Sequence, residues 1–128
     1  MVRYQDPSAN GMPELHNLPP FLAILQDSSF KVAVVTDGRM SGASGKVPAA
    51  IHLSPEAADG GPISQIKDGD ILRFDALNGS LDNLACDCCE RSIVHPDISD
   101  NKQGMGRELF SVFRRTAGPA SNGAGVMI

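Results

Sequence analysis

The sequence has no tryptophan, one tyrosine and five phenylalanines, so aromatic residues make up only 5% of it. That scarcity leaves no platform on which bases or sugar rings could stack. Net basic charge is missing as well. The formal net charge is -4, which argues against a nucleic-acid partner. No apolar run approaches the ~20 residues that a membrane-crossing helix requires, so no membrane partner is expected. The first residues lack the basic and apolar regions of a signal peptide. Cysteine is confined to Cys86, Cys88 and Cys89 in one tetrapeptide, with only His95 as a neighbouring ligand type. Metal sites usually draw on two separated ligand pairs, and iron–sulfur clusters on four thiolates. These three therefore read as ordinary thiols, with no role assigned.

What is present fits one globular domain over residues 1–128, with 41% hydrophobic and 20% charged residues. The 13 glycines and 9 prolines call for many turns and short elements rather than a helix bundle. The chain centres on Lys31 to Pro48. Lys31–Val35 is mostly apolar and β-branched and predicts a buried strand. Gly38 to Pro48 is a loop holding three glycines and two serines. A strand that runs into small polar residues presents backbone N–H groups and hydroxyls to a ligand.

On either side, residues 1–12 predict an extended arm. Pro20 suits a first helical turn, and Phe21, Leu22, Ile24 and Leu25 give an apolar stripe to Gln26, expected to pack into the core. Ala49–Leu53 predicts a strand, and Ser54-Pro55-Glu56-Ala57 a helix start. Asp70–Ala76 and Ser80–Leu84 predict a hairpin joined by a two-residue Asn78-Gly79 turn. Gly106–Ala117 predicts a helix with Leu109, Phe110, Val112 and Phe113 on one face, stopped by Gly118-Pro119. Residues 119–128 predict a flexible tail. The sum is a β-rich α+β domain.

Known nucleotide and nucleophile motifs fail on the central loop. Met40 stands where a phosphate-binding loop has glycine, and Val47 where it has the serine or threonine that holds magnesium. Arg39-Met40 before Ser41 rules out a Gly-x-Ser-x-Gly elbow. Asp37, Arg39, Ser41, Ser44 and Lys46 on a glycine-rich turn point, in general terms, to anion or polyol binding.

The run Thr36-Asp37-Gly38-Arg39-Met40-Ser41-Gly42-Ala43-Ser44-Gly45-Lys46-Val47-Pro48-Ala49-Ala50-Ile51-His52 resembles the signature of the dihydroxy-acid dehydratase/6-phosphogluconate dehydratase family. Asn10-Gly11-Met12-Pro13-Glu14-Leu15-His16, Gly60-Gly61-Pro62-Ile63 and Gly104-Met105-Gly106-Arg107-Glu108-Leu109-Phe110 extend the resemblance, which leans to the 6-phosphogluconate branch. Only the family's C-terminal domain is matched. The resemblance implies a swivelling β/β/α barrel-like domain with a few flanking helices. It implies a hydro-lyase that converts 6-phosphogluconate to 2-keto-3-deoxy-6-phosphogluconate in the cytoplasmic Entner–Doudoroff route. Sugar-acid or dihydroxy-acid dehydration within the family, or a non-catalytic binding module for a sugar-acid phosphate, are the alternatives.

The resemblance further implies a 4Fe-4S cluster and Mg, held mostly by an N-terminal domain that is this chain's partner, in a homodimer. It makes Ser41 the general base and Glu14 a magnesium contact. Thr36, Asp37, Gly38, Arg39, Gly42, Ser44, Lys46 and His52 become substrate contacts. The isolated domain is then expected to be inactive.

Overall fold

A computed structural model describes every residue except 42–44, 86, 88, 89, 127 and 128. The central strand, β1, spans Val34–Val35 and pairs in parallel with β2, Ala49–Ala50. Both β1 residues are buried. On the other side, Val2 bridges Thr36 in parallel, and its N–H donates to the Val35 carbonyl at 3.0 Å. The predicted strand from Lys31 is thus shortened at its start, because only Val34 onward finds a partner. Val32 N–H instead donates to the Gln26 side chain at 2.9 Å. β2 ends early because His52 takes φ 55, outside the extended region.

The N-terminal segment is more than an extended arm. Asp6 caps a short helix, α1 (Pro7–Asn10), its Oδ1 accepting from Ser8 N–H and Ala9 N–H. Tyr4 and Ala9 join Val35, Ala57, Ile63 and Ile66 in the core, and Leu53, Leu72, Leu81 and Ile98 pack against it. The core therefore lies between the N-terminal segment, β1, residues 54–66 and a hairpin.

That hairpin is β3 (Leu72–Asp75) with β4 (Ser80–Asn83), paired antiparallel in the register Asp75↔Ser80. The connection is residues 76–79 rather than the two residues expected. The Asp75 carboxylate accepts from the N–H groups of Leu77 and Asn78, both at 3.0 Å, and so builds the turn from its own strand end. No helix starts at Ser54; the segment runs into a 3-10 turn at Pro62–Gln65 instead. Two arginines hold the carbonyls there. Arg3 donates to Ser64 and Ile66 carbonyls at 2.9 and 3.0 Å. Arg91 donates to the Gln65 carbonyl at 3.1 Å while pairing with Asp70 and Asp87.

Helix α2 (Leu18–Asp27) forms close to where the sequence places it, yet none of its residues is buried. Phe21 is 69% exposed. The predicted helix at 106–117 is a 3-10 turn (Arg107–Phe110) leading into α3 (Ser111–Thr116), and its apolar residues also face out, Leu109 at 79%. The core packing expected for the α2 stripe is thus absent among the described residues, whereas α3 packs beside α1 with its apolar side chains still half exposed. Ala120–Asn122 forms another 3-10 turn, and Ala120 N–H reaches Glu56 Oε1 at 2.6 Å. The expected tail is tied to the body at that point. Among the described residues the two sheets have two strands each and form no closed barrel. The fold is a small mixed α/β arrangement with few helices.

Candidate functional site

The loop after β1 grows out of a buried root. Thr36 and Asp37 have no exposed surface. Asp37 Oδ2 accepts from Tyr4 N–H at 3.0 Å and from Ala57 N–H at 3.1 Å, and Oδ1 from Gln5 N–H at 3.1 Å. All three partners are donors, which suits a side chain with two acceptor oxygens and no donor. Thr36 Oγ1 accepts from Gly38 N–H at 2.9 Å. A Cβ on Gly38 would fall 2.7 Å from Gln5 Cβ, so close approach of the N-terminal segment requires glycine here. Thr36, Asp37 and Gly38, expected as substrate contacts, are buried in the framework, and the side chains of Thr36 and Asp37 bond within it.

Beyond the root the chain surfaces. Arg39 is exposed, Met40 is buried as an anchor, and Ser41 is exposed. The segment Met12–His16 lies along this stretch. Glu14 bridges Arg39, and Leu15 N–H donates to the Arg39 carbonyl at 3.2 Å. Arg39 Nη1 pairs with Glu14 Oε2 at 3.0 Å, and Arg39 Nε donates to the Met12 carbonyl at 2.9 Å. Ser41 N–H donates to Glu14 Oε1 at 2.8 Å. His16 Nδ1 lies 3.0 Å from the Ser41 carbonyl. Glu14, His16, Arg39 and Ser41 thus converge on one exposed face.

The Ser41 N–H, above all, holds the Glu14 carboxyl below its ordinary value. Desolvation, next in size, opposes this, while the Ser41 hydroxyl, the Arg39 charge and the His16 N–H add to the lowering. Lys46 Nζ pairs with Asp27 Oδ2 at 2.6 Å, which ties the far side of the loop to the end of α2. His52 N–H donates to the Gly38 carbonyl at 3.0 Å, which sets this exposed residue beside the root. Gly42 and Ser44 lie outside the described residues, as do Cys86, Cys88 and Cys89. Among the described residues no group of three or more His, Cys, Asp or Glu side chains could hold a metal ion. No helix among them is long and apolar enough to cross a membrane.

Residues 1–124 match the family described as dihydroxy-acid/6-phosphogluconate dehydratase C-terminal. The chain belongs to that family. The phosphogluconate dehydratase of Rhizobium meliloti (strain 1021) is 59% identical over 129 residues, 99% of this chain and 21% of the relative. That of Pseudomonas aeruginosa is 56% identical over 97% of this chain and 21% of the relative. A dihydroxy-acid dehydratase from Methanospirillum hungatei is 36% identical over 97% of this chain and 22% of the relative. The chain thus spans about a fifth of the length of the curated relatives it matches.

Within this dehydratase-family domain, the sequence signals Glu14, Arg39 and Ser41, and the structure brings them together. It leaves His16 unassigned, although His16 ends the Met-Pro-Glu-Leu-His run. The only signal for it is its place two residues after Glu14, which in extended chain puts both on one side.

Proposed function

We propose that this chain is the C-terminal domain of a phosphogluconate dehydratase, and that it contributes the base that starts the removal of water from 6-phosphogluconate. The observation that carries the reading is the match to phosphogluconate dehydratases at 59% and 56% identity over nearly the whole chain, against 36% for a dihydroxy-acid dehydratase. The reaction takes the proton from C2 and releases the C3 hydroxyl. The C2–H electron pair becomes the C2–C3 double bond, and the enol tautomerises to the 2-keto acid.

Ser41 is the residue proposed to accept the C2 proton. In support, it is exposed, and its backbone is held by Glu14 and His16 rather than left to turn freely. A serine oxygen acts as a base only where its ionised form is stabilised. Arg39, whose side chain is half exposed, is the cation at hand in this chain. Arg39 and Lys46 are also the charges offered to carboxylate and phosphate.

In this reading the 4Fe-4S cluster and most magnesium ligands belong to the part of the protein outside this chain. On the face shared with Ser41, Glu14 offers a hard carboxylate oxygen of the kind magnesium takes. Such a metal would supply Lewis-acid pull on the departing hydroxyl. The test is Ser41→Ala in the full-length protein. Turnover should fall by about 10²–10⁴-fold, the usual worth of a positioned base, with the visible spectrum unchanged. A variant keeping most of its turnover would overturn the assignment.

A further inference from the structure

We infer that His16 is a positioning residue for the Ser41 loop, acting through the Ser41 main chain. This rests on the proposed role of Ser41 and deepens it. A carbonyl oxygen only accepts, so the 3.0 Å contact of His16 Nδ1 with the Ser41 carbonyl places a proton on Nδ1. Nδ1 carries that proton in one neutral tautomer and in the imidazolium alike, so the contact does not depend on the charge of the ring. On the other side of the same residue, Ser41 N–H donates to Glu14 Oε1 at 2.8 Å. Glu14 and His16 are two residues apart on a segment already bonded to the loop through Leu15 N–H and the Arg39 carbonyl.

Ser41 therefore has its N–H and its C=O held at once by Glu14 and by His16, the latter set in the turn that leads into α2. Such a grip fixes where its side chain emerges. A misplacement of about 1 Å at a reacting group can cost ~10²-fold in rate. Met40 anchors the loop just before Ser41 by its buried side chain. The Ser41 main chain itself is held from residues 14 and 16, and His16 supplies the carbonyl half of that hold.

The two ring nitrogens make the test selective. An asparagine side-chain N–H₂ reaches roughly where Nδ1 sits, whereas that of glutamine reaches toward Nε2. In full-length protein, His16→Ala and His16→Gln should each lower kcat by about tenfold or more with KM within about twofold. His16→Asn should restore most of the loss. Hydrogen exchange of the peptide spanning residues 38–46 should quicken in His16→Ala and His16→Gln and return toward the parent in His16→Asn. Glutamine matching or exceeding asparagine would overturn the inference, as would unchanged exchange in His16→Ala. If Ser41→Ala stays active while the exchange pattern still follows the asparagine–glutamine order, the proposed base falls and the positioning contact stands.

Discussion

Both carboxylate oxygens of Asp37 face backbone donors contributed by residues 4, 5 and 57. Asparagine has the same shape but turns an N–H₂ toward at least one of those donors, leaving a buried N–H unmet. Asp37→Asn should therefore destabilise the chain by about 3 kcal/mol, since bonds to a charged acceptor are worth about 1.5–3 kcal/mol each. Urea unfolding of the two proteins checks this, and a loss under about 1 kcal/mol would refute it. The sequence shows Asp37 in a recognisable motif beside Arg39 and Ser41 and so suggests a shared ligand-binding role. Its actual partners lie far away along the chain and are main-chain atoms, which leave no mark on residue identity. Glu14 and Ser41 stood out through the motifs they sit in; His16 did not, because its ring meets a main-chain carbonyl, which leaves no mark on residue identity.

At the scale of elements, local chemistry was legible and coverage was not. The hairpin could be read from the apolar residues of Asp70–Ala76 and from Asn78-Gly79, although Asp75 lengthens its turn. The helical period of Phe21, Leu22, Ile24 and Leu25 foretells α2, but a period says only that one face is apolar, not that this chain supplies the surface to cover it. Phe21→Gln should consequently change the stability of the 128-residue chain by no more than about 0.5 kcal/mol, as for other surface sites. Ile63→Ala, in the core, should cost about 2–5 kcal/mol. Comparable losses in the two variants, measured by urea unfolding, would show that α2 is packed after all. Phe21 and Ile24 of α2, and Met105, Leu109 and Phe110 further on, stand exposed in this chain.

Across the whole molecule, six carboxyl groups of the described residues are held in their charged form and one is pushed the other way. Arg91 holds Asp70 and Asp87 down, and N–H donors do the same for Glu14, Asp75, Asp97 and Glu108. Each such group adds stability above its ordinary value, 3.8 for Asp and 4.5 for Glu, and that contribution fades as pH falls through the lower folded value. Asp59 runs the other way: burial, then Glu56 and Asp6, raises it, so its contribution is lost as pH rises through its folded value. Six groups against one predict a urea midpoint that falls steadily below about pH 4.5. A midpoint equal at about pH 3 and pH 6 would contradict this.

The first six residues meet the body at three separate places. Val2 extends the sheet, Tyr4 and Gln5 feed Asp37, and Arg3 grips the carbonyls of Ser64 and Ile66. Anyone choosing where to start a recombinant fragment is thus choosing whether the loop root keeps its ligands. A start codon moved past Gln5 discards the Val2 bridge, the Arg3 grip and two of the three bonds beneath the serine loop in a single cut.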